Sequence, residues 1–295
     1  MDKKGSATKA EKLITGAIDM HIHTNPDLFP RLFSDIEMAR EAKNTGMGGI
    51  VIKNHFTTTA DRAALAREIT GFPVFGGLVL NSPVGGLNPE AVEVSLKFGA
   101  KIIWMPTIYA EDQLKDPGVV KMFNMAIGPD TKGISLIDQY LGVKDEVKEI
   151  LDLIIEYQAI LATGHISKNE ANLLVEEANK MGVKKIILTH PLSPMFDYTT
   201  EEIRELVTKG VSLVEFSVLD TTEVVSKPIS AKLIADTIKV IGAKNAVMAT
   251  DGGQTVNPSP VKMMQDYIDT MLGLGISEKD IKTMVCDNPA KMLEL

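Results

Sequence analysis

The sequence predicts an α/β fold: a (β/α)8 TIM-type barrel in a single domain, with an insertion after the fourth strand. Three observations carry that expectation. Short β-branched runs alternate with longer amphipathic stretches eight times along 295 residues, with no Gly/Ser-rich linker between them. No Gly-x-Gly-x-x-Gly follows the first strand, which argues against the doubly wound open sheet built from the same alternation. The rhythm breaks only over 108–143, so 1–295 reads as one barrel with that segment as an elaboration over its mouth.

In order, the first apolar run, Ile14 to Ile22, ends in His21-Ile22-His23. Ser34 opens a helix with Glu37 three residues on, a capping box, and Gly46 closes it. Gly49 to Lys53 is the second strand and Thr59 to Thr70 its helix. Pro73 to Leu80 is the third, followed by Asn88 as N-cap and Pro89 at the first helical position of a helix reaching Phe98. The fourth strand, Lys101 to Met105, stops at Pro106. Inside the break, Pro117-Gly118 and Gly128-Pro129-Asp130 mark turns, and Gly133 to Ile137 reads as a short strand. Val147, Ile150, Leu151, Ile154 and Ile155 then hold one helical face. Ala159 to Thr163 is the fifth strand, and Ser167 with Glu170 caps its helix. Lys185 to Thr189 is the sixth, with Thr199 and Glu202 capping the next helix. Val211 to Val218, a helix from Ile229 to Ile241, and Ala246 to Thr250 complete the strands. The last helical region opens at Ser259 with Pro260 behind it.

Composition narrows the function. Lys+Arg 31 against Asp+Glu 39 gives a net charge of −8, the wrong sign for general affinity to phosphate backbones. Aromatics at 5% offer little for base stacking. The apolar runs fall short of the ~20 residues of a membrane helix. The start, with Asp2, Lys3 and Lys4, lacks the apolar core of a signal peptide. Cys286, the single cysteine, cannot form an internal disulfide, in keeping with a reducing cytoplasm. The expectation is a cytoplasmic protein whose partner is a small-molecule substrate, not nucleic acid or a membrane; homo-oligomer formation stays open.

All five histidines, His21, His23, His55, His165 and His190, fall at or just past the C-terminal end of a strand, the face on which barrels build active sites. Any one of them alone reads as a satisfied core histidine; five at one face read as a site. His21 and His23, two apart on a strand, point the same way and offer two nitrogens to one ion. Asp19 shares their parity, while Met20 and Ile22 point toward the helices. His165 and His190 supply two more imidazoles, and Asp251 on the eighth strand a carboxylate beside the first. That set suits zinc or another borderline divalent metal, as one or two ions.

With these positions in place, the chain resembles the amidohydrolase superfamily of metal-dependent hydrolases. Asp19-Met20-His21-Ile22-His23 is similar to its first-strand signature. His165, His190 and Asp251 match its fifth-, sixth- and eighth-strand positions, and the terminal segment Asp287 to Leu295 is similar to the piece with which many members close the barrel. The resemblance implies a metal-activated water attacking an amide, cyclic amide, ester or lactone. It implies Asp251 as general acid–base, and His190 as a ligand of a second metal or a contact to substrate or water. A non-oxidative decarboxylase with a very similar ligand set, and a non-catalytic metal- or ligand-binding barrel, are the competing readings.

Two features depart from that pattern. His21 comes too early for the accessory β-sandwich of several members, so the chain resembles the barrel-only ones. The carboxylated lysine of binuclear members has no counterpart at the end of the fourth strand, whose only lysine, Lys101, sits at the opposite end. Lys53, two residues before His55, is then a carboxylated metal bridge in an unusual place, a cation facing the substrate, or a strand-end lysine reaching solvent. Arg31 and His55 are candidate substrate contacts. Arg31 suits a carboxylate or phosphate, but its position beside the Ser34 cap favours a helix-entry role. Glu215 and Ser217 share a face of the seventh strand, one of them lining the interior. Trp104 reads as core in preference to pocket wall.

Overall fold

Parallel β-structure built from eight strand positions forms the centre of the molecule, and the computed structural model describes residues 8–128 and 130–295. Asp2, Lys3 and Lys4 lie outside the described residues. The strands are β1 (Ile18–His23), β2 (Gly49–Lys53), β3 in two pieces (Val74–Phe75 and Gly77–Val79), β4 (Ile102–Trp104), β5 (Ile160–Ala162), β6 (Ile186–Leu188), β7 (Leu213–Ser217) and β8 (Ala246–Ala249). Each pairs in parallel with the next. The circuit returns to β1 where Asp251 N donates to His21 O at 2.9 Å and His23 N to Gly252 O at 2.8 Å.

The single run expected for β3 is interrupted at Gly76, where a Cβ would meet Thr59 O at 2.2 Å. There the Thr59 hydroxyl takes over from the ladder, donating to Ile52 O at 2.7 Å and accepting from Gly77 N at 2.9 Å. The capping boxes at Ser34/Glu37, Ser167/Glu170 and Thr199/Glu202 form as the sequence implies, so each of these helices starts where its orphan N–H groups find a side-chain oxygen.

Two apolar layers sandwich the strands. The inner one includes Ile18, Val51, Val79, Ile102, Trp104, Leu213 and Val247; Met292 and Leu293 of the terminal helix pack onto it. The outer one, much larger, lies between strands and helices. Met20 corrects the sequence reading: it joins the inner layer with Ile18, and only Ile22 faces the helices. The cause is a β-bulge. Asp19 pairs with Ile50 and Ile22 with Ile52, so β1 carries one extra residue there and its alternation is reset before His21. Asp19 does not share the histidines' destination either. Its carboxylate accepts from Thr250 N at 3.1 Å and Thr250 Oγ1 at 2.6 Å, which fastens β1 to β8.

The segment 108–143 holds two short helices, Glu111–Leu114 and Pro117–Met122, and no strand at Gly133 to Ile137. That stretch makes only isolated bridges, Ala110 to Ile134 and Ile137 to Val143. Its partner is a helix rather than a strand: buried Glu170 accepts from Ser135 Oγ and Leu136 N, both at 2.8 Å. Among the described residues no helix is long and apolar enough to cross a membrane.

Candidate metal centre

His21 and His23 leave β1 at its C-terminal end. His55 follows β2, His165 follows β5, His190 follows β6 and Asp251 follows β8. The five imidazoles close a ring. Their centroids are 5.3 Å apart from His21 to His23, 5.0 Å on to His55, 6.2 Å to His165, 5.0 Å to His190 and 5.9 Å back to His21. All five are buried. Asp251 reaches in from β8 with Oδ1 at 3.1 Å from Nε2 of both His21 and His23.

This donor set fits a divalent cation. Ligand atoms of His21, His190 and Asp251 lie within 4.8 Å of one another. His23 and His165, expected with His21 and Asp251 around one ion, lie outside that trio: His23 stays against Asp251 and His165 packs against His190. Both ring nitrogens of His165 and His190, and Nδ1 of His23, are buried without a hydrogen-bond partner. An unmet buried donor or acceptor costs about 1–3 kcal/mol, so several in one place call for a ligand. Imidazole nitrogens beside a carboxylate are what zinc and similar ions take.

Electrostatics point the same way. Burial holds His23, His55 and His165 well below the usual imidazole range and His190 at about 4, which leaves their lone pairs free. His21 differs: burial pulls it down, but the Asp251 and Glu215 carboxylates outweigh that and the push of Lys53, and carry it up to about 9. The place that favours a proton there favours a metal cation for the same Coulombic reason. His21 Nδ1 lies 2.7 Å from Glu215 Oε1, so Glu215 fixes the ring and leaves Nε2 facing Asp251. Asp251 itself sits well below the carboxylate range, since His21 and His23 overcome the upward effect of burial.

Lys53 is no strand-end lysine reaching solvent. It is 2% exposed, pairs with His23 in the ladder, and sets Nζ 3.1 Å from His21 Nε2 and 5.5 Å from the Trp104 ring centroid. Trp104 is both core and wall: it fills the inner layer and its ring lies 6.3 Å from that of His21, at the strand position where a bridging lysine was sought. Arg31, three residues before the Ser34 cap, has a side chain only 6% exposed and paired through Nε with Asp27 Oδ2 at 2.8 Å. His55 contacts the ring through His23 and is held from behind. Its Nδ1 is 2.9 Å from Thr107 Oγ1, which accepts from Asn81 Nδ2 at 2.7 Å.

Asn81, Thr107 and Asp220 escaped the sequence reading. The first two lie two and three residues past the ends of β3 and β4, the one signal that marked them. Asp220 is buried past β7, where burial, with the Asp251 and Glu215 charges, pushes its carboxyl up to about 8.

The backbone at the site is strained. His190 and Asp251 hold φ of 22° and 51°, left-handed values that non-glycine residues adopt at a cost. Gly253 completes the turn at φ +125°, with a Cβ position only 1.9 Å from His23 O. Gly253→Ala is therefore expected to lower stability by about 3 kcal/mol or more and to reduce bound metal, both read by urea unfolding and elemental analysis.

Residues 16–214 match the model of a family of unknown function, DUF6282. The chain belongs to that family. The matched span of DUF6282 takes in all five histidines and ends before Asp251. No curated protein matches the chain in sequence. Solved structures do match it in shape. An amidohydrolase from Pseudomonas aeruginosa superposes with a TM-score of 0.63 at 13% identity, over 97% of this chain and 98% of that one. Organophosphorus hydrolase from Deinococcus radiodurans gives 0.61 at 14%, over 95% and 93%. A weak promiscuous lactonase template engineered for organophosphate hydrolysis gives 0.63 at 16%, over 97% and 98%. At such identities the likeness establishes the fold alone: this DUF6282 member shares the barrel fold of those hydrolase structures.

Proposed function

We propose that the protein is a metal-dependent hydrolase that cleaves an amide, cyclic amide, ester or lactone bond in a small polar molecule. The observation that carries this reading is the closed ring of five buried histidines with Asp251 at the C-terminal face of the strands. His21, His23, His165, His190 and Asp251 would hold one or two divalent ions, with zinc the best match to an imidazole-rich set. When bound, such an ion supplies Lewis acidity that polarises the bond to be cut and eases the ionisation of water.

The chain's own groups do the rest. Asp251 Oδ1 is engaged by His21 and His23, while Oδ2 has no protein partner among the described residues and is the atom that takes a proton and returns it to the leaving group. Glu215 keeps His21 in one tautomer and orientation. Lys53 offers either a carbamate bridge or a charge to the substrate. His55, bonded to Thr107, stacks on the His23 ring. The segment 108–143 brings Phe123 to 6.1 Å from the His55 ring, and we assign it the role of setting substrate choice over the mouth.

Elemental analysis of the purified protein with a panel of esters, lactones, amides and carboxylic acids tests this. Bound zinc-like metal with water addition is the expected result. Release of CO2 from an acid would replace the hydrolase by a decarboxylase, and metal without turnover of any class would leave a binding barrel.

A further inference from the structure

The loop between β1 and its helix carries a cation that the reaction above does not use. Arg31 is fixed on one side only: Nε donates to Asp27 Oδ2, and the Asp27 side chain is itself fully buried and takes Phe29 N on Oδ1 at 3.1 Å. Neither Nη atom has a protein hydrogen-bond partner among the described residues. Backbone bonds hold this loop against the Asp251 turn, with Leu32 N on Gly253 O at 2.8 Å and Arg31 bridged to Gln254. Arg31 is thus carried beside the turn that holds Asp251 at the histidine ring. A guanidinium stays charged at any physiological pH, and its free Nη pair matches the two oxygens of a planar carboxylate.

The same loop supplies an apolar wall. The Phe29 ring lies 5.7 Å from Phe56 and 5.5 Å from Phe123, and both of those stand edge-on to His55 at 6.1 Å. Cation and wall therefore stem from one loop, which is bonded to the Asp251 turn and packed through Phe56 and Phe123 onto His55.

We infer that the substrate is a carboxylic acid with an apolar body, its carboxylate held end-on by the Arg31 Nη atoms and its body against Phe29, Phe56 and Phe123, leaving the scissile bond over the histidine ring. This rests on the hydrolase reading for what is cut, but the acid site is testable without turnover. The purified protein is titrated calorimetrically with benzoate, phenyl phosphate and benzamide. Benzoate is expected to bind at least tenfold more tightly than benzamide, about 1.4 kcal/mol. Arg31→Gln should erase that preference while benzamide affinity stays put. Because Arg31→Gln strands buried Asp27, the paired Asp27→Asn/Arg31→Gln variant is measured beside it. Equal binding of benzoate and benzamide, or a benzoate preference that survives in either folded variant, overturns the inference. So does phenyl phosphate binding more tightly than benzoate through Arg31. Hydrolysis without preference for carboxylate-bearing esters or lactones would sink the acid site alone; Arg31-dependent benzoate binding without any hydrolysis would sink the hydrolase reading alone.

Discussion

Asp251→Asn is expected to lower kcat about a thousandfold or more while leaving the fold intact. The amide has the same shape, its oxygen can still accept from the Nε2 atoms of His21 and His23, and asparagine tolerates the positive φ of 51° better than most residues. What it lacks is an oxygen in the Oδ2 place that can take and return a proton, and the negative charge that balances a divalent ion. Loss of general acid–base action alone is worth about 10²–10⁴ in rate. Three measurements separate the causes: kcat on the best substrate of the panel, metal content, and the urea midpoint. Unchanged kcat would reduce Asp251 to a turn residue of the Thr250-Asp251-Gly252-Gly253 corner. A collapsed midpoint would mean that the carboxylate is structural.

Much of this site is legible in the sequence because it depends on position along strands. A histidine that ends a β-branched run is placed on the C-terminal face by the period of the barrel alone, and His21, His23, His55, His165 and His190 all arrive there. Where the two-residue alternation continues undisturbed, orientation is legible too: Val51 faces inward, and Lys53 follows it. The same rule fails in β1, since a bulge between Asp19 and Ile22 is set by cross-strand pairing and leaves no mark on the alternation of residue types. It is also silent on partners distant in the chain. Glu215 meets His21 across 194 residues, and Asn81 supports His55 through Thr107 across 26. The burial of Arg31 is not legible for a related reason: a polar residue beside a helix cap is usually solvated, and only the buried Asp27 carboxylate beside it fixes the guanidinium. Gly133 to Ile137 has strand-like residues but no unpaired strand edge to join, so Glu170 takes up its hydrogen bonds instead.

Lys53→Met is expected to cost about a hundredfold or more in kcat with no loss of stability. The stability half follows from burial. Lys53 is among the largest fully buried side chains, makes no ion pair with a carboxylate among the described residues, and neighbours His21 at 3.1 Å. Burial pulls its amine down from the usual lysine range, against the attraction of Asp251 and Glu215. A thioether of similar length fills the same space over Trp104 without a charge to desolvate, so the urea midpoint should hold or rise. The activity half follows from contact, since Nζ is the cationic or carbamate-forming atom nearest His21, and methionine can play neither part. Metal content decides which part it plays. A neutral amine that adds CO2 and releases a proton would become an anionic carbamate able to help hold metal, and its loss should lower the metal content. A lysine that only faces the substrate should leave the metal content unchanged while KM rises for anionic substrates more than for neutral ones. Unaltered kcat, KM and metal together would return Lys53 to a packing role.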